Sequence, residues 1–182
     1  MDDIAATARV SKQTVYKHFG DKTSLFVELL TGDMAEADDR VAALAAAIPR
    51  SNALEPDLRA FARAYITSVM RPDLMRIRRI VIAEAERFPD LASTWYENGP
   101  EKAYATFAGW FTTLHTRGLL RTPDSMLAAQ HFNWLVLSIP LNEAMAAPIL
   151  DTPPDPGVLH RYADEGVRVF LAAYGAGPAE EG

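Results

Sequence analysis

The sequence predicts an all-α fold. No stretch alternates apolar and polar residues for long enough to make a strand. Apolar residues recur instead at helical spacing, as in Phe61, Tyr65 and Val69 at i, i+4 and i+8. Glycine and proline clusters punctuate the pattern every few turns.

The elements follow in order. Met1 to Ala8 reads as a short helix with Ile4 and Ala5 inward. Ser11 is a good N-cap for a second short helix, Lys12 to Phe19. Gly20 ends it, and Asp21 caps a third helix expected over Lys22 to Ala47, with Leu25, Phe26, Leu29 and Leu30 on its first apolar face. Pro49 stops that helix, and "PRSNALEP" is a loop. Further helices are expected over Asp57–Met70, Leu74–Arg87, Leu91–Tyr96, Glu101–Arg117, Asp124–Ala146 and Val158–Tyr174. Pro72, "RFPD" and "DTPPDPG" separate them, and Pro140 should kink the helix that contains it. The tail "GAGPAEEG" is expected to be disordered.

Composition narrows the function. The 182 residues, about half hydrophobic, can bury a sizeable core. There is no cysteine, so disulfides, thiolate zinc sites and cysteine nucleophiles are excluded, in keeping with a reducing cytoplasm. No apolar run approaches a membrane span, and no basic-then-apolar leader opens the chain. No Ser-His-Asp order, glycine-rich phosphate loop or His-Glu-x-x-His spacing is present, so the chain is read as a non-enzyme without cofactor or metal. His115 and His131 could meet across helices, but two histidines alone make a weak case for a metal.

Charge is uneven. Arg9 to Lys22 holds four cations (Arg9, Lys12, Lys17, Lys22) and one anion (Asp21). That local +3, in a chain of net charge −6, leaves −9 for the rest. A basic surface on an acidic body suits an anionic partner, though short basic runs also occur on solvated faces.

The second helix sorts its side chains by face. Val15 and Phe19 fall together on the inner side, joined by Val10 from the turn. Gln13 and Lys17 lie opposite, flanked by Lys12, Thr14, Tyr16 and His18. A glutamine amide can pair with adenine and a lysine can donate to guanine. Thr, Tyr, His and Lys can hold phosphate. Thr14 could equally cap its own helix, and Tyr16 and His18 could pack at a domain rim. Two short helices around a tight turn, the second with this outer face, match a helix-turn-helix. Lys22, opening the next helix, adds charge where free N–H groups already favour phosphate.

"DDIAATARVSKQTVYKHFGDKTSLF" resembles the DNA-binding signature of TetR-family transcriptional regulators, and "VSKQTVYKHFGDK" matches it nearly position by position. More weakly, the chain from Asp57 onward, especially "RIRRIVIAEAERFPDLASTWYENGPEKAYATFAGWF", resembles the AefR-like ligand-binding and dimerisation region. The resemblance implies a small helix-turn-helix DNA-binding domain, residues 1–31, joined to a helical ligand-binding and dimerisation domain, residues 32–175, with a disordered tail at 176–182. It implies that Lys12, Gln13 and Lys17 face bases or adjacent phosphates of double-stranded operator DNA. Thr14, Tyr16, His18 and Lys22 would anchor the backbone. It also implies a cytoplasmic repressor released by a small-molecule effector.

Two departures stand out. The turn usually has glycine where this chain has Arg9, so a strain of roughly 1 kcal/mol is expected there, with a phosphate contact as a possible gain. The family also has a helix before this motif. Without such a helix, Ile4, Val15, Phe19 and Phe26 would lose burial partners, at about 1.5–3 kcal/mol per fully exposed large side chain. A further helix before Met1 is therefore expected; the rival expectation is a dimeric ligand-binding protein that has lost DNA binding by truncation.

In the larger region, the helix near 101–117 carries Tyr104, Phe107, Trp110, Phe111 and Leu114. The helix near 124–146 carries one stripe through Leu127, His131, Trp134, Ser138, Leu141 and Met145, and another through Phe132, Leu135 and Ile139. Helices apolar on two sides need covering twice, so these two are expected to form a four-helix homodimer interface. The alternative is deep burial in one subunit. A ligand pocket is expected among Phe61, Tyr65, Ile77, Val81, Trp95, Phe107, His131 and Trp134, suited to a small apolar or aromatic molecule with one polar handle. Arg76, Arg78 and Arg79 read as a solvated face, or as a link from the sensor to the DNA-binding domain.

Overall fold

A computed structural model describes residues 2–21, 24–25, 39–147 and 153–176. Helix α1 is Asp2–Thr7 and α2 is Lys12–Phe19. The Ser11 side chain caps α2 by accepting from the Thr14 N–H at 3.0 Å. Gly20, at φ 74°, ends α2 in a conformation that other residues adopt only with strain. The Asp21 carboxylate then accepts from the Ser24 N–H at 2.7 Å, as the sequence predicts for a cap. Ala5, Val15 and Leu25 are buried. Ile4 and Val10, expected inward, are 38% and 43% exposed. Lys22, Phe26, Leu29 and Leu30 lie outside the described residues, as does most of the predicted third helix. Its last part is α3, Asp39–Ala47, followed by a 3₁₀ turn, Ile48–Arg50.

The larger body is built from α4 (Leu54–Val69), α5 (Pro72–Glu84), α6 (Pro89–Tyr96), α7 (Lys102–Thr116), α8 (Ser125–Ala146) and α9 (Pro156–Tyr174). Pro72, Pro89 and Pro156, read from sequence as breaks, each open a helix. A proline loses nothing at a first-turn position, where its N–H would have no partner. The predicted break before Pro100 is a π-helical turn, Glu97–Glu101, that carries α6 directly into α7. Helix α8 continues through the buried Pro140. Among the described residues there is no strand, only an isolated antiparallel bridge between Leu120 and Gly175. Among them, too, no helix is long and apolar enough to cross a membrane. Of the tail expected to be disordered, Gly175 and Ala176 are instead tied down, the Ala176 N–H donating to Leu119 O at 3.2 Å, and the rest lies outside the described residues.

The core lies where α9 packs on α8 and α4, and α7 packs on α8. Phe61, Phe111, Phe132 and Phe170 are fully buried there. Their rings meet at favourable offset or edge-on separations, 4.8 Å for Phe111–Phe170 and 5.2 Å for Phe132–Phe170. Gly166 permits the close approach of α9 to α8, because a Cβ there would sit 2.8 Å from the Leu135 carbonyl oxygen. Polar ties join the elements at the edges. Arg63 forms a two-pronged ion pair with Asp164, at 2.8 and 2.6 Å, linking α4 to α9. Arg117 donates to Pro49 O and Ser51 O, pinning the end of α7 to the α3–α4 connection.

The expectation that α7 is apolar on two sides is corrected here. Tyr104, Phe107, Trp110, Phe111 and Leu114 are all buried within the subunit. The outer face of α7 holds Lys102, Ala105, Thr106, Gly109, Thr112, Thr113 and Thr116. In the larger body, exposed large apolar residues lie instead on α8 (Met126, Leu127, Trp134, Ile139) and α9 (Val158, Val169), with Ile80 and Ile82 on α5 and Tyr96 on α6.

Candidate functional site

Two surfaces carry chemistry. The first is the outer face of α2. Gln13, Lys17 and His18 are exposed, and Tyr16 is 43% exposed, while Val15 on the opposite face is buried. The helix therefore stands on Val15 and presents its amide, ammonium, phenol and imidazole outward. Lys12 is also exposed, but its Nζ lies 2.9 Å from the Asp2 carboxylate on α1. That hydrogen bond raises the lysine pKa and lowers the Asp2 pKa. The Thr14 hydroxyl sits 2.7 Å from the Ser11 hydroxyl, so it belongs to the cap. The His18 ring packs edge-on against Phe19. Arg9 has φ 56°, the left-handed value expected at a position that usually holds glycine.

The second surface is a cavity of about 410 Å³ inside the larger body, a size typical of small-molecule sites. Val41 of α3, Tyr65 and Val69 of α4, Leu74 and Arg78 of α5, and Trp95 of α6 form part of its wall. Gly99 and Pro100 of the π-helical turn, Tyr104 of α7, and Asn133, Trp134 and Leu137 of α8 complete it. Of the eight residues expected to line a pocket, Tyr65, Trp95 and Trp134 do so. Phe61 and Phe107 sit behind them in the buried ring cluster, packed against Tyr65. Val81 is buried and Ile77 half-buried on α5, and neither reaches the cavity. His131 is on the outer side of α8, where its Nδ1 lies 2.6 Å from the Tyr174 hydroxyl. His115 receives the Thr122 N–H instead, so the two histidines have separate partners.

Polar groups converge on this cavity. The Tyr65 hydroxyl donates to Asn133 Oδ1 at 2.8 Å. Burial pushes the Tyr65 phenol well above its ordinary pKa, and does the same, less strongly, to Tyr104. Both stay neutral and serve as hydrogen-bonding groups. Arg78 lies with its guanidinium carbon 4.7 Å from the centre of the Trp95 ring. Burial lowers the Arg78 pKa. Arg71, also in the wall, is paired with Asp73 at 2.5 Å.

The arginine run is thus not one solvated face. Arg76 is exposed, Arg78 faces the cavity, and Arg79 donates to Ala144 O and Ala147 O at the end of α8. The signal for Arg78 was in the spacing. It follows Leu74 and Met75 by four and three residues, and both are on the inward face of α5. Asn133 went unnoticed because it stands between Phe132 and Trp134 in a helix read for its apolar stripes.

Known proteins resemble this chain in both regions. Residues 1–29 match the model for bacterial regulatory proteins of the tetR family. Residues 56–176 match the C-terminal domain of AefR-like transcriptional repressors. A TetR-family transcriptional regulator of known structure from Mesorhizobium loti is 39% identical, with a TM-score of 0.85 over 96% of this chain and 85% of that one. The flavonoid-responsive regulator FrrA is 28% identical, with a TM-score of 0.72 over 96% and 86%. A TetR regulator from Agrobacterium tumefaciens, at 24% identity and a TM-score of 0.67 over 94% and 81%, shares the fold. No curated protein matches. With more than half its length matched and its helix-turn-helix in place, the chain belongs to the TetR family of transcriptional regulators.

Proposed function

We propose that this regulator is a homodimeric repressor that an aromatic effector releases from its operator. Residues 1–31 act as the reading unit and 32–175 as the sensor and dimer unit, working in the cytoplasm where operator DNA is found. Two copies of α2 enter successive major grooves of a near-palindromic site. Gln13 faces a base edge, Lys17 the adjacent phosphate, Lys12 lies beside them, and Thr14, Tyr16, His18 and Lys22 hold the backbone. The dimer forms through α8, paired with α9 rather than α7, because the exposed apolar side chains Met126, Leu127, Ile139 and Val169 lie on those two helices.

One observation supports effector release above the others. The cavity touches α3, α4, α5, α6, α7 and α8 at once, including Val41 on α3, the first described helix after the reading unit. An occupant therefore meets six helices at once, among them α8 of the proposed dimer interface, so it can bias how they are arranged. It shifts the dimer only by binding one arrangement better than the other. An aromatic effector fits the Trp95, Tyr104 and Trp134 walls, and a flavonoid-responsive relative answers to a ligand of that kind.

The test is a duplex taken from upstream of the protein's own gene, followed by fluorescence anisotropy. The account expects specific binding that falls when an aromatic compound enters the cavity, reported by quenching of Trp95 and Trp134. Cavity binding that leaves DNA affinity unchanged for every such compound would sink the release mechanism.

A further inference from the structure

We infer that the effector is an aromatic anion, a flat ring bearing one carboxylate-type group, and that Arg78 is the residue that selects its charge. The inference rests on the sensor reading above and sharpens it from "aromatic" to "aromatic and negatively charged".

Among the described residues, the wall of the cavity contains two arginines and no aspartate or glutamate. Arg71 is neutralised by Asp73, through hydrogen bonds at 3.2 and 2.5 Å. Arg78 is half-buried, and among the described residues no carboxylate lies within ion-pair reach and no oxygen accepts from it. Among the described residues its close partner is the face of Trp95, which engages the cation but leaves its fork of N–H donors unused. Neither neighbouring phenol can supply the missing charge, because burial keeps Tyr65 and Tyr104 protonated. A half-buried guanidinium without a counter-ion is an uncommon arrangement, and a carboxylate matches its donor geometry better than any other organic group.

A second donor stands on the wall formed by α8. Asn133 Oδ1 accepts from the Tyr65 hydroxyl, and its amide –NH2 has no protein acceptor among the described residues. The cavity therefore offers donors from two sides and aromatic faces from Trp95 and Trp134. A flat ring against the tryptophans, with its anionic group toward Arg78, uses all of these groups.

The experiment compares two probes of nearly equal shape, 2-naphthoate and the uncharged 2-naphthamide, by calorimetry on the intact protein. Wild type should bind naphthoate at least about tenfold more tightly, the expected scale for a charge-assisted pair in a partly buried site. Arg78→Gln should bring the ratio close to one, Arg78→Lys should keep part of it, and Arg76→Gln should leave it intact. Unfolding curves identify which variants are folded, and the wild-type ratio stands even where Arg78→Gln does not fold. Equal or tighter binding of the amide, no binding of naphthoate at millimolar concentration, or a ratio that survives in folded Arg78→Gln would each overturn the inference. Its failure is separable from that of the release mechanism. If the amide binds and dissociates DNA while naphthoate does not, the sensor stands and the charge assignment falls. If naphthoate binds through Arg78 without affecting DNA, the charge assignment stands and release falls.

Discussion

The Tyr65 hydroxyl donates a hydrogen bond to Asn133 Oδ1 at 2.8 Å, tying α4 to α8 across the wall of the sensor cavity. Asn133 is one of very few buried polar side chains among the described residues, so this bond holds two elements at a fixed separation in an otherwise apolar core. Tyr65→Phe leaves the amide oxygen without its donor and should lower stability by about 1–3 kcal/mol in urea unfolding. Adding Asn133→Leu should cost less than the sum of the single changes, since the orphaned group is then gone.

The same tyrosine sets an alkaline limit. Burial raises its folded pKa above the ordinary value of 10.0, so the unfolded chain loses the proton first. Its contribution is complete below pH 10 and is lost as pH rises above that. Wild type should lose stability on alkaline titration more steeply than Tyr65→Phe. Identical slopes would show that the phenol is not sequestered.

At the acid end, the Asp164 carboxylate is held below its ordinary range, first by the hydrogen bond from Arg63. A depressed carboxylate pKa contributes stability above the unfolded value and loses it as pH falls through the folded one. Arg63 is about half exposed, so Asp164→Asn should cost no more than about 1 kcal/mol near neutrality. The difference from wild type should vanish below the carboxylate range and shrink at high salt, both readable in thermal melts.

Two backbone positions give opposite results. Arg9 holds a left-handed φ of 56°, so Arg9→Gly should stabilise the reading unit by roughly 1 kcal/mol. Gly166→Ala would drive a Cβ to 2.8 Å from the Leu135 carbonyl. Neither helix backbone can yield cheaply, and a loss of about 1–3 kcal/mol is expected in denaturant titration.

Much of this molecule is legible in its sequence because helices announce themselves locally. Ser11, Gly20 and Asp21 marked the bounds of the short helices, and each makes the bond or dihedral its residue type suggests. Prolines misled the reading where they open a helix, as Pro72 and Pro89 do, because a breaker and a first-turn residue look alike in one dimension. The cavity was only partly visible. Tyr65, Trp95 and Trp134 share their residue types with the core rings Phe61 and Phe107, and periodicity shows which face is inward without showing which part of it meets a void. Arg78 was hidden for a different reason. Three arginines in four residues suggest solvent, and only the packing of α5 sends them in three directions.

DNA reading by the outer face of α2, as proposed above, can be tested directly. The direct measurement is the affinity of wild type and Lys17→Ala for a duplex from upstream of the protein's own gene and for a scrambled duplex of equal length, across a salt series. Wild type should show a clear preference for the native duplex. In a dimer, Lys17→Ala should also make the plot of log affinity against log salt shallower by about two, because each half-site then has one fewer phosphate neutralised by a lysine. Equal affinity for the two duplexes, or a slope that Lys17→Ala leaves unchanged, would contradict it.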